Sequence, residues 1–280
     1  MLWILLACSR AAPPGPHLLA ELDGRGLSGL AGAQEELWAL PERSPELLRL
    51  SARDGRLLGR LTIVGLPEGL DTESLALLPD GRVLLGTESQ QAGREADRVL
   101  IGERRGEEVQ IVGEWSLSYA PFGVQAEKNR GIEGLCAAHG GVVAVGESVL
   151  GEPRAAAAWI GHPDRAEVVP LRLGLVSATG KLSAADCRQE GEGIRLWAIE
   201  RHYEVMRLST WLLVGEPGDG VLNPEKSWEL GALIPGEPNL EGLVVMEDGG
   251  VVLINDNDYG GVKGPSRVWR LGLDSLGTGR

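Results

Sequence analysis

The chain has 280 residues, 43% of them hydrophobic, enough for one large all-β domain or two ordinary ones. Its 27 basic and 40 acidic residues give a net charge of −13, which argues against a nucleic-acid partner because phosphate backbones select positive surfaces. The 41 glycines are about twice the usual share, and with this charge profile they exclude disorder, collagen and coiled coil in favour of a turn-rich fold.

In chain order, Leu2 to Ala7 is apolar and runs into Cys8, and Pro13-Pro14-Gly15-Pro16 follows. A small residue before a cysteine, with a tether after it, is the pattern of a bacterial lipoprotein signal. Here the apolar run is short and no basic residue precedes it. Residues 1–16 are expected to be the remnant of such a signal with a Pro-rich tether. Cys8 is then the lipidated residue of an exported envelope protein, or of a secreted one. No apolar run approaches the ~20 residues of a membrane-spanning helix, so any membrane contact is through that anchor.

Residues 17–280 read as one domain built on a repeat. The segments at Leu27-Ser28-Gly29-Leu30, Thr72-Glu73-Ser74-Leu75, Ile132-Glu133-Gly134-Leu135, Leu182-Ser183-Ala184-Ala185 and Leu240-Glu241-Gly242-Leu243 recur at intervals of 45, 60, 50 and 58 residues. Each opens an apolar strand, a turn such as Pro79-Asp80-Gly81-Arg82 or Glu247-Asp248-Gly249-Gly250, and a second apolar strand. Two more strand-like runs follow in the second, third and fourth units. The last unit has only Arg267 to Leu271, so His17 to Leu22 is expected to supply its outer strand. The reading is an all-β propeller of five four-stranded blades, or six if a long connection hides one, closed by the N-terminal strand. The alternative is a β-sandwich with accidental repeats.

The same repeat organises the acids. Glu73 and Glu88, Glu133 and Glu147, and Glu241 and Asp256 lie nearly equidistant from their turns, so regular hairpin pairing sets each pair side by side. The fourth unit keeps Glu200 opposite Ser183, and the first has Ser28 and Glu42. Rotation of the blades then gathers the acids into a ring at one channel mouth. Such a ring repels itself. Calcium held by Glu73, Glu88, Glu147, Glu241 and Asp256 would offset the charge, as would Arg130 and Arg201. The plainer alternative has each glutamate accepting backbone N–H groups to lock neighbouring blades. Asn129, Asn239 and the run Asn255-Asp256-Asn257-Asp258 add oxygen donors suited to calcium or a polyhydroxylated ligand, without forming an EF-hand loop.

Asn129-Arg130-Gly131-Ile132-Glu133-Gly134-Leu135, Leu196-Trp197-Ala198-Ile199-Glu200-Arg201, Asn239-Leu240-Glu241-Gly242-Leu243 and Leu253-Ile254-Asn255-Asp256-Asn257-Asp258-Tyr259 resemble signatures of the phytase-like family, "esterase-like activity of phytase". The resemblance runs in order from about Gly26 to Leu271. It implies a secreted or envelope-associated bacterial propeller that hydrolyses phosphate or other esters, and it points to Arg130, Glu133, Glu200, Arg201, Glu241, Asp256 and Asn257. This chain departs from the family after Arg201, where His202 precedes Tyr203 in place of a glycine. The expected site therefore has Glu133, Glu200 and Arg201 as catalytic groups and Asn129, Arg130, Asn239 and Asn257 as substrate contacts. Its substrate is a small anionic ester or phosphate, bound by a monomer. The competing class is a non-catalytic propeller that binds a ligand or protein at the envelope.

Other signals carry less. Gly24 to Gly29 fits a dinucleotide pattern, but no strand precedes it and strand-like residues follow. There is no GxSxG elbow and no HExxH pair. His202 is either a general base or a rim histidine. Cys136 and Cys187, one step apart in repeat phase, are either buried thiols or a disulfide between blades. The tryptophans of the strands are assigned to packing between blades.

Overall fold

Asp80 turns the chain by accepting the Arg82 N–H at 3.0 Å, and Gly81 supplies the left-handed residue (φ 91°) that a tight hairpin needs. Left-handed glycines at Gly55, Gly106, Gly191 and Gly249 make comparable turns between antiparallel strands. The structure, a computed structural model, describes residues 15–276 apart from 24–25, 34, 139, 152–153, 203–204, 215–219, 235, 237–238 and 259–263. Cys8 and the apolar start lie outside the described residues.

The strands fall into consecutive sets. β1 (His17–Leu22) stands apart from β2 (Leu27–Ala33), β3 (Glu36–Pro41), β4 (Glu46–Ser51) and β5 (Leu57–Val64), which form the first set. The second is β6 (Leu70–Leu77), β7 (Arg82–Ser89), β8 (Ala96–Arg105) and β9 (Glu108–Ser118), and the third is β10 (Arg130–Ala138), β11 (Gly141–Val149), β12 (Ala155–Gly161) and β13 (Val168–Gly174). β14 (Lys181–Glu190), β15 (Gly193–His202), β16 (Val205–Leu213) and β18 (Lys226–Glu229) follow, while the short β17 (Val221–Leu222) pairs in parallel with β13. In the last sheet β19 (Leu240–Val245), β20 (Gly250–Asn255) and β21 (Ser266–Gly272) are completed by β1, antiparallel to β21.

The first strands of the sets follow one another in a cycle, β2 to β6, β10, β14, β19 and back to β2. An apolar core fills each gap between neighbouring sets. Trp159 and Trp211 are fully buried in two of these cores, Trp115 packs in the same core as Trp159 and Trp38 in a third, so these tryptophans serve packing as their sequence positions suggest. This is a β-propeller.

The pairing departs from the regular hairpins that equal spacing assumes. In all five inner hairpins the register slips by one residue at the repeat position, at Ser28, Glu73, Glu133, Ser183 and Glu241. Each inner strand therefore carries a β-bulge there, which leaves that residue unpaired and re-aims its side chain. Glu88 stands opposite Asp71 rather than Glu73, Gly146 rather than Glu147 ends the β11 pairing beside the bulge, and Asp256 lies beyond the last pair of β19 and β20. The paired acids are thus not cross-strand neighbours, because one extra residue in each inner strand shifts the count.

Carbonyls beside a bulge lose their ladder partner and must find another. Ser28 Oγ donates to Thr72 O at 2.9 Å, Ser74 Oγ to Ile132 O at 2.5 Å and Ser183 Oγ to Leu240 O at 2.9 Å, each reaching the next inner strand. Serine, not glutamate, is the blade lock. A second tie is covalent: Cys136 and Cys187 form a disulfide between β10 and β14, with Cα atoms 5.6 Å apart. Of the two readings that the sequence left open, the structure takes the disulfide. With its cysteines 51 positions apart in sequence, a chain-entropy treatment gives it about 4 kcal/mol. Replacing both cysteines by serine is expected to lower the unfolding free energy in urea by that order, with the far-UV spectrum unchanged.

Candidate functional site

The bulges aim acids at one mouth of the central channel. Glu73 and Glu133 are 6% and 7% exposed, and neither carboxylate has a hydrogen-bond or ion-pair partner among the described residues. Burial raises the pKa of both well above the ordinary carboxylate value, and repulsion from neighbouring carboxylates adds to it, most strongly from Glu133 on Glu73 and from Glu147 on Glu133. Glu241, from the third acidic bulge, is pushed up to about 7 by burial, although the Arg201 guanidinium that it accepts works against the shift. Burial and the neighbouring Asp71 push Glu88 to about 7 as well.

Within this mouth three carboxylates come together. Oxygens of Glu42, Glu73 and Glu88 all lie within 4.8 Å of one another, the spacing of a cation site built only from oxygen. Glu42 follows β3, which is why its distance from the turn matched those of the other acids in the sequence. Its Oε1 accepts from Arg43 at 2.9 Å. A hard divalent ion fits this donor set; zinc, which prefers nitrogen and sulfur, fits it poorly.

The remaining acids are already engaged. Glu147 lies 3.2 Å from Arg130 Nη1 and 3.0 Å from Lys181 Nζ, and Asp256 accepts from Asn239 Nδ2 at 2.9 Å and from the Asp258 N–H at 2.7 Å. The calcium set expected from the sequence therefore narrows to Glu73 and Glu88, with Glu42 added. Glu147, Glu241 and Asp256 surround it.

Several other expected contacts have different jobs. Glu200 is 0% exposed, and its two oxygens accept the Val176 and Ser177 N–H groups at 3.0 and 2.6 Å. It fixes the loop before β14 instead of facing the acid cluster, because it pairs with Leu182 next to the bulge and turns away from the channel. Asn257 accepts the Gly26 N–H at 3.1 Å and donates to Gly264 O at 2.6 Å, which ties two loops together. Asn239 spends its amide on orienting Asp256. Asn129 is exposed and is the one non-glycine with positive φ (53°) among the described residues, so its contribution is a backbone turn into β10.

That turn matters because it delivers Arg130. Gly131 stands opposite Glu88 across β7 and β10, and a Cβ there would meet Thr87 O at 2.4 Å. The approach requires glycine and brings the start of β10 against the acid cluster. Arg94 supports it, donating to Arg130 O at 2.7 Å while Asp97 holds Arg94 at 2.8 Å and Tyr119 donates to Asp97 at 2.9 Å. Arg130 and Arg201 thus reach the same acidic mouth through different acids, Glu147 and Glu241. Beside them opens a cavity of about 460 Å³ whose wall includes Arg130, Arg154, Thr179, Lys181 and His202. No motif or spacing singles out Arg154, Thr179 or Lys181. Only the Lys181–Arg201 pairing of β14 and β15 brings that lysine to the mouth.

A family model described as "Esterase-like activity of phytase" matches residues 26–259. The chain belongs to this phytase-like family. No curated protein matches the sequence. Among solved structures, Agrobacterium tumefaciens regucalcin, described as a calcium-binding protein, shares 12% identity with a TM-score of 0.54, over 94% of this chain and 93% of its own. Myxococcus xanthus glutaminyl cyclase shares 14% with a TM-score of 0.52 over 92% and 96%, and a luciferin-regenerating enzyme 11% with 0.53 over 95% and 97%. At these identities the likeness is one of fold, and the phytase-like propeller shares that fold with proteins of unrelated chemistry.

The raised carboxylates make stability depend on pH. In the unfolded chain Glu88 and Glu241 ionise near 4.5, whereas in the folded protein they hold their protons to about 7. Their contribution is complete below pH 4.5 and is lost as pH rises through about 7. The melting temperature of chelator-treated protein is expected to fall across that window, and calcium is expected to restore it at the upper end. Differential scanning calorimetry across the window, with and without chelator, measures both effects.

Proposed function

We propose that this phytase-like propeller is a metal-assisted hydrolase of phosphate or carboxylate esters, working at the acidic mouth. The observation that carries the reading is the pair of buried carboxylates Glu73 and Glu133, which have no partner among the described residues. Leaving such groups without hydrogen bonds is costly, and a fold that keeps them at an open mouth holds them for a ligand. Glu42, Glu73 and Glu88 would hold a hard divalent ion such as calcium. Bound there, the ion supplies Lewis-acid polarisation and a more acidic water.

The chain's own residues supply the rest. Burial and the neighbouring carboxylates raise the pKa of Glu133 well above the ordinary carboxylate value, which favours its protonated form and suits it to give a proton to the leaving alkoxide. Arg201, fastened by Glu241, faces the same acids and stabilises negative charge that develops beside Glu133. Arg130 holds the anionic part of the substrate. Glu200, Asn239 and Asn257 preserve the geometry without touching the reacting atoms.

The disulfide supports an oxidising compartment, as in an exported protein. Export and lipidation at Cys8 follow from the same reading, which treats the mature protein as a monomer whose only membrane contact is the anchor.

Product release from aryl phosphates and aryl esters, with calcium or with chelator, tests the reading. Glu133→Gln is expected to lower kcat by about 100-fold or more, the usual worth of a general acid. Glu73→Gln is expected to abolish the calcium dependence. A folded protein that binds calcium and turns over no ester would instead be a ligand-binding propeller.

A further inference from the structure

The channel has a second chamber at its other end. Each inner strand bears its bulge near its start, at the acidic mouth, and later residues of all five strands line a cavity of about 610 Å³. Between the two, residues at and just after the bulges leave a waist with free space of about 10 Å³, room for about one water. Glycine makes that waist narrow. A Cβ on Gly134 would meet Ala185 Cβ at 2.5 Å, and one on Gly242 would meet Leu30 Cβ at 2.8 Å. A waist of this size passes no organic molecule, so the lower chamber is a separate space.

Its walls are aliphatic. Leu30, Leu75, Leu135, Val244, Val245 and Met246 line it, with no aromatic ring among the described lining residues. The disulfide of Cys136 and Cys187 ties β10 to β14 within the wall. A preformed cavity of this size, apolar with a few polar groups, has the character of a small-molecule site, and its lining suits an alkyl chain.

The polar groups differ in what they have left to offer. Asp186 Oδ1 accepts the Cys187 N–H at 2.8 Å and Oδ2 accepts the Val245 N–H at 2.7 Å, so this carboxylate is spent on backbone. Arg188 donates to Val245 O and has no other hydrogen-bond or ion-pair partner among the described residues. A guanidinium only donates, so the spare capacity of the chamber is for an oxygen acceptor. Glu35, Glu247 and Asp248 stand exposed in the turns at the rim, and of these only Asp248 is in an ion pair, with Arg270. Four acids against one base among the described lining residues oppose a ligand with a full negative charge.

We propose that the lower chamber binds an uncharged aliphatic molecule bearing an oxygen acceptor, of the class of alkyl alcohols and alkyl esters, with its oxygen on Arg188 and its chain among the leucines and valines. The site is independent of the hydrolase reading, because the waist separates it from the acid cluster.

Calorimetric titration with 1-octanol, octanoate and octylammonium tests this at mildly alkaline pH, where octanoate is ionised. Wild type is expected to bind octanol, and to bind octanoate at least about 10-fold more weakly because its carboxylate meets the acidic rim and loses water. Glu35→Gln combined with Glu247→Gln changes two exposed side chains, and should narrow that gap while leaving octanol binding unchanged. Arg188→Met keeps an apolar stem and should weaken octanol binding about 10-fold, the effect of losing a hydrogen bond to a charged donor. Ala137→Phe places a ring in the chamber and should abolish octanol binding by the folded protein. No binding of octanol by wild type, or equal binding by folded Ala137→Phe, would overturn the site. The assignment of an uncharged oxygen on Arg188 would be overturned by tighter binding of octanoate or octylammonium than of octanol. It would equally be overturned by octanol binding unchanged in Arg188→Met, or by a gap unchanged in the double glutamine variant.

Discussion

One residue too many in each inner strand governs this molecule. A regular hairpin would pair the repeat position across the ladder and bury its side chain between strands or in the next blade. The bulge removes that pairing, lets the local backbone twist and points the side chain along the channel. Because the same slip occurs at Ser28, Glu73, Glu133, Ser183 and Glu241, the ring geometry delivers all five side chains to one end. Two are serines that satisfy a neighbouring strand's stranded carbonyl, and three are carboxylates with no such duty. Blade closure and site construction are thus divided among chemically different residues at equivalent positions.

The electrostatic arrangement follows from that division. Carboxylates gathered in a partly desolvated mouth repel one another, and their pKa values rise until some hold protons at neutrality. The protein relieves part of this with Arg201 on Glu241 and with Arg130 and Lys181 on Glu147, but gives Glu73 and Glu133 no hydrogen-bond or ion-pair partner among the described residues. A structure selected for stability alone would neutralise or remove such groups. Their retention on rigid inner strands, supported from behind by the Tyr119–Asp97–Arg94 chain, is the arrangement expected of groups held ready for a ligand. The mouth that results has an acidic half and a basic half meeting at Glu147.

Much of the architecture was legible in the sequence because its periodicity is physical. Repeated glycine-bearing turns and alternating apolar runs dictate antiparallel sets, and the short last repeat calls for a strand from elsewhere, which β1 provides by pairing with β21. The acidic character of one mouth was legible too. Residue pairing was not, because counting from a turn cannot detect a bulge, and so Glu88 was matched to Glu73 when its partner is Asp71. Roles that depend on side-chain direction were equally hidden. Glu200 and Asn257 sit in family-like motifs, yet their polar atoms are committed to loop backbone, whereas Lys181 carries no motif and reaches the mouth through its pairing with Arg201. The disulfide stayed one of two options because repeat phase places two thiols on adjacent strands without fixing their facing edges.

The proposed reading rests on a cation held by Glu42, Glu73 and Glu88, of which Glu73 is brought in by its bulge. Anomalous diffraction from crystals grown with manganese, a hard ion that accepts the same oxygen ligands as calcium, tests it without reference to any substrate. One strong peak is expected, bounded by the carboxylates of Glu42, Glu73 and Glu88 and lost in Glu73→Gln crystals. No peak at the mouth at saturating metal, or one that persists unchanged in that variant, would contradict it.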